Sequence, residues 1–171
     1  MKTLEDKIKI IDETPLTIKN LFTFKYPIKT SHILYSEIKK YNYIENIFKN
    51  NKAIIILIDK PSGIGHFVCI FKKDNIIHFF DPYGFRLSKV LNIMNINDNS
   101  LLDLINKSKY DIKYNNIQYE SEKNKVESCG LHCVSRLMLY SYTDDEYNKF
   151  LKYKDLRPCE IVGLLCFFNI I

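Results

Sequence analysis

Three short segments carry side chains able to act together. Gly65-His66-Phe67 puts an imidazole at the mouth of an apolar run. Phe80-Asp81-Pro82-Tyr83-Gly84-Phe85 puts a carboxylate at the end of the next run, and Ser128-Cys129-Gly130-Leu131 puts a thiol where a helical period begins. A carboxylate that holds an imidazole, with a thiol on the imidazole's other nitrogen, is the arrangement that nucleophilic acyl transfer needs. The base takes or gives the proton, and the third group fixes its tautomer. A helix N-terminus adds unsatisfied N–H groups and a dipole that favour a thiolate, as does a nearby imidazolium. Gly130 removes bulk beside Cys129, which suits close approach of a substrate backbone.

Each residue alone has a blander reading. A lone Cys is more often a buried packing residue, a lone His a loop residue, and Asp-Pro a turn former. The ordered set favours chemistry. His78 is a rival base, but alternation along its strand puts it on the face opposite Asp81, so it reads as structural. His32 has no evident partner. Cys129, His132 and Cys133 share a helix and could begin a metal site, yet no Cys-x-x-Cys pair supplies further ligands, so no metal is expected. Cys69, Cys159 and Cys166 stand in apolar contexts and read as packing residues.

The elements that must position these groups follow from the pattern. Ala53 to Ile58 is apolar at every position, as a strand covered on both faces would be. Pro61 to Gly65 reads as a turn. Phe67 to Phe71 and Ile76 to Phe80 read as two strands joined by the polar stretch Lys72 to Asn75, a hairpin that brings His66 beside Asp81. Ser31 to Asn50 has near-helical apolar spacing with Ser31 as N-cap. Residues 86 to 109 read as helical pieces, and Tyr110 to Tyr119 as one or two short strands. Cys129 to Tyr142 reads as a helix. Thr143 and Glu146 form a capping box for the next helix, and Leu156 to Ile170 reads as a last one. The fold class expected is α+β, with a mixed, mostly antiparallel central sheet flanked by helices.

The chain has 171 residues, a size that suits one domain over 1–171, with residues 1–15 as a loose arm. Lys, Asn, Ile and Tyr are abundant and Trp is absent, a skew that reads as coding bias. The net charge of +5 is therefore weak evidence for a nucleic-acid partner. Five cysteines, no secretory leader and no apolar run near the ~20 residues of a membrane span point to free thiols, an intracellular setting and no membrane partner.

In this order, the three segments resemble the adenain-like cysteine proteases, a clan shared with the SUMO-specific proteases and with maturation proteases of large DNA viruses and virophages. The resemblance covers roughly residues 31 to 142. It implies a papain-like arrangement with His66 as base, Asp81 as orienter and Cys129 as nucleophile, with Gln118 donating to the oxyanion. Gln118 stands eleven positions before Cys129, further than the family usually keeps it. Either the intervening loop bulges or another amide, such as Asn124, takes the role. The resemblance implies a monomeric thiol endopeptidase without cofactor. It would cleave capsid or other virion precursors, often near Gly, in the virion or the host-cell cytoplasm, with DNA or a peptide as a candidate activator. The alternatives are an isopeptidase for ubiquitin-like modifiers and a non-catalytic binding module of the same fold.

Overall fold

A computed structural model describes residues 6, 16–59, 65–120, 128–153 and 155–170. The expected arm at 1–15 and the Pro61 turn lie almost wholly outside these residues, and Asn124 lies outside them too. Among the described residues, five strands form one sheet in sequence order: β1 (Thr30–Leu34), β2 (Ala53–Asp59), β3 (Gly65–Lys73), β4 (Ile76–Phe80) and β5 (Asp111–Tyr114). The β2–β3–β4 centre is antiparallel, and β1 and β5 add parallel edges.

Both faces of the centre are covered, as the apolar runs require. Ile54, Ile56, Ile58, Val68 and Ile70 point to one side, while Ala53, Ile55, Phe67, Cys69 and Phe71 point to the other. The first side packs against a 3₁₀ turn (Tyr35–Lys40) and the short helices α2 (Ile44–Phe48), α3 (Leu87–Ile93) and α4 (Ser100–Asn106). The second packs against α1 (Ile18–Leu21), α5 (Cys129–Met138), α6 (Asp144–Phe150) and α7 (Pro158–Ile170). The α+β class expected from the pattern is the one observed.

Three local expectations change. The single helix over Ser31 to Asn50 is instead β1, the 3₁₀ turn and α2. Its apolar residues do enter the core, but β1 supplies backbone partners along the edge of β2, which a helix could not do. The hairpin connection is two residues, not four. Asp74 and Asn75 have φ of 51° and 61°, the left-handed pair that a tight type I′ turn demands. Helix α5 stops at Met138, short of Tyr142. There the Arg136 guanidinium donates to the carbonyls of Leu139, at 3.2 Å, and Tyr142, at 3.4 Å. The Thr143–Glu146 capping box opens α6 as expected.

Candidate active site

Hairpin register brings the base and its orienter together. Cys69 pairs with Phe80, so the mouth of β3 lies beside the chain leaving β4. His66 and Asp81 both fall on the α3 side of the sheet. His66 Nε2 and Asp81 Oδ1 lie 2.5 Å apart. Asp81 is fully buried and His66 is 8% exposed.

The carboxylate is held from every direction. Its second oxygen, Oδ2, accepts from the Phe85 N–H at 2.8 Å. The Asn115 side chain accepts from the Asp81 N–H at 2.8 Å and donates to the Asp81 carbonyl at 2.6 Å. With its backbone pinned on both sides, Asp81 has little freedom to leave the ring.

Cys129 reaches the same place from the other layer. It opens α5, and its Sγ accepts from the Phe67 N–H at 3.5 Å. One turn on, the Cys133 thiol donates to the Phe67 carbonyl, also at 3.5 Å. The helix thus grips both polar groups of the residue next to His66. Gly130 permits this approach: a Cβ there would lie 3.1 Å from the rings and methyls of Phe67 and Leu16. Its bareness serves the packing of the helix on the strand. Burial works against a charged His66, but hydrogen bonds to Asp81 and Cys129 outweigh it and carry the imidazole pKa up to about 10. Since Nε2 is taken by Asp81, Nδ1 is the nitrogen left for the sulfur.

Gln118 is exposed and lies in the segment beside the Asp81 turn. That segment is stapled in place, because the Tyr119 and Glu120 N–H groups donate to the Pro82 carbonyl at 2.8 and 3.1 Å. Gly84, at φ +72°, packs flat against it. A Cβ on Gly84 would sit 2.9 Å from the Ile117 carbonyl and 3.1 Å from the Gln118 nitrogen.

Two residues of the site were not singled out from sequence. One is Asn115, the clamp on Asp81. The other is Glu120, buried at 4% exposure. Its Oε1 accepts from the Ser128 N–H at 3.1 Å and so ties the start of α5 to the Gln118 segment. Its Oε2 is buried with no hydrogen-bond partner among the described residues. Burial pushes its pKa up to about 7, against the Ser128 hydrogen bond and the His66 charge. A buried Asn or Glu has no sequence signature, since both types usually mark surface.

The other histidines stay apart. His78 stacks on Phe71 at 4.7 Å, and burial lowers its pKa to about 4. His32 contacts Tyr26 Oη at 3.4 Å. His132 is fully buried, and neither ring nitrogen has a hydrogen-bond partner among the described residues. Cys69, Cys133, Cys159 and Cys166 are buried thiols. Among the described residues, no helix is long and apolar enough to cross a membrane.

No family model matches the chain. It is 26% identical over 150 residues to the uncharacterized protein V9 of Sputnik virophage, covering 80% of this chain and 86% of that one. Among solved structures, it is similar to the SUMO protease Ulp1 with its catalytic cysteine oxidised to a sulfenic acid. That likeness has a TM-score of 0.47 and 15% identity, over 96% of this chain and 84% of the other. A second likeness is to the C-terminal Ulp1 protease domain in complex with SMT3, the yeast orthologue of SUMO. Its TM-score is 0.42 and its identity 12%, over 96% of this chain and 76% of the other.

Proposed function

We propose that this chain is a cysteine endopeptidase, one catalytic domain over residues 1–171, that cleaves virion precursor proteins. The observation that carries the chemistry is the His66 ring, held at 2.5 Å by Asp81, with the Cys129 sulfur on the N–H of the adjoining Phe67. In this reading the Cys129 sulfur attacks a peptide carbonyl while the proton resides on His66. The C–N bond breaks, the departing amine takes the proton from the imidazolium, and an acyl thioester remains on Cys129. Water then enters, His66 takes its proton, and the thiolate leaves as the acid product forms.

The Cys129 N–H at the start of α5 and the Gln118 side-chain amide are the donors assigned to the oxyanion. Loss of one such donor lowers kcat by ~10²–10³-fold. The virion substrate rests on the small size and skewed composition of the chain within the resembled clan and on its similarity to a virophage protein. The test incubates candidate capsid precursors with wild-type and Cys129→Ala protein and reads cleavage by mass spectrometry. Wild-type cleavage that vanishes in Cys129→Ala is the expected result; cleavage that survives in the variant overturns the reading. Cleavage of SUMO or ubiquitin conjugates in place of the precursors would keep the chemistry and reassign the substrate.

A further inference from the structure

Beside His66 lies a cavity of about 240 Å³, lined by Gly65, His66, Tyr83, Phe85, Val90, Ile93 and Met94. Apart from the imidazole edge and the Tyr83 hydroxyl, its side chains are apolar. Val90 and Met94 form its inner wall and are buried, while Ile93 stands at 46% exposure, a large apolar side chain open to solvent. Tyr83 leans on the His66 ring, with centroids 5.4 Å apart. The volume falls below the ~300–1,000 Å³ of sites that enclose whole small molecules. It suits one large side chain.

Which part of a peptide would enter follows from the reaction. The acyl half of the substrate stays bonded to Cys129, on the α5 side of the sheet. The amine half departs from the nitrogen that His66 must protonate, so the chain after the scissile bond has to run past the imidazole. The cavity shares that imidazole and sits on the α3 side, opposite α5.

We propose that this cavity binds an aliphatic or aromatic side chain from the first or second residue after the scissile bond, making Val90, Ile93 and Met94 specificity determinants for the leaving segment. The inference rests on the catalytic reading above and adds a substrate requirement to it. An apolar side chain seated here also covers the exposed edge of His66, which shields the imidazole from water while Cys129 is being acylated.

The experiment digests a pool of peptides randomised on both sides of the cleaved bond and identifies products by mass spectrometry. Matched single peptides then give kcat/KM. Wild-type protein is expected to prefer Leu, Ile, Met or Phe over Gly or Asp at one of the two positions after the cut, by on the order of 10²-fold. Ile93→Asp, a change at an exposed position, is expected to collapse the Leu-to-Gly ratio toward one. Met94→Ala enlarges the cavity and is expected to move the optimum from Leu toward Phe, so the idea stays testable if one variant folds poorly. Cys129-dependent cleavage with no apolar preference at either position overturns the pocket assignment and leaves the catalytic reading standing. So does a preference that survives both substitutions. Absence of any Cys129-dependent cleavage removes the catalytic reading, and the pocket assignment with it.

Discussion

At the scale of single residues, the site depends on how firmly one carboxylate is held. Asp81 spends Oδ1 on His66 and Oδ2 on the Phe85 N–H, while Asn115 fixes its backbone. Asp81→Asn keeps the shape but removes the charge and can present an N–H to the ring, which disfavours the tautomer and the imidazolium. We expect kcat to fall by ~10²–10⁴-fold with a smaller change in KM. The direction in pH is also set. Asp81 and Cys129 raise the His66 pKa to about 10 against burial, so loss of the carboxylate must lower it. The alkaline limb of kcat/KM should therefore move to lower pH in Asp81→Asn, read from initial rates across pH 6 to ~10.5. An unmoved limb would mean that another group titrates. The meeting of His66 and Asp81, and the place of Cys129 at a helix start, were legible in the sequence because strand and helix boundaries fall beside them. Asn115 and Glu120 were not, because what makes them matter is burial between elements far apart in the chain.

At the scale of elements, the site is a junction of the β3–β4 hairpin, α5 and the segment after β5. Two glycines, Gly84 and Gly130, set how closely these approach. Gly84 closes the turn that begins at Asp81, its N–H donating to the Asp81 carbonyl at 2.8 Å. Its φ of +72° and the 2.9 Å approach of the Ile117 carbonyl leave no room for a Cβ. Gly84→Ala should cost ~1–3 kcal/mol in stability. It should also displace the segment bearing Gln118, lowering kcat/KM by more than the residual stability explains. Urea melts and steady-state rates on the same preparation check this, and full activity in a destabilised variant would show that the Gln118 segment does not serve catalysis. The hairpin was readable because alternation and polar turn residues agree along it. The stretch from Ser31 to Asn50 was not. Its apolar spacing fits a helix, and only the open edge of β2, supplied by residues further along, makes Thr30–Leu34 a strand.

For the molecule as a whole, buried titratable groups set the pH range of stability, and their signs oppose one another. Burial holds the pKa of His132 down to about 3 and those of His32 and His78 down to about 4. Below the unfolded value near 6.5 the unfolded chain binds these protons and the folded chain refuses them, so stability is lost as pH falls from about 6.5 toward 4. Glu120 acts the other way. Its folded pKa near 7 means that the folded chain keeps a proton which the unfolded chain releases above about 4.5, so acidification from 7 to 4.5 adds stability. His66 governs the alkaline side: its contribution is complete below about 6.5 and is lost as pH rises through about 10. The stability maximum should therefore lie near pH 6.5–7, with the acid limb softened by Glu120. Each refused or retained proton is worth up to ~1.4 kcal/mol per pH unit, less for the partly exposed His32 and His78. His132→Leu removes one refused proton together with two buried ring nitrogens that have no partner among the described residues, so it should flatten the acid limb. Glu120→Gln keeps an acceptor for the Ser128 N–H but cannot titrate, so it should steepen the limb. Thermal melts of the three proteins between pH 4.5 and 7 separate these effects. If Glu120→Gln and wild type ran parallel over that interval, the Glu120 carboxylate would be ionised throughout, and its burial beside the candidate site would have to be balanced by a cation.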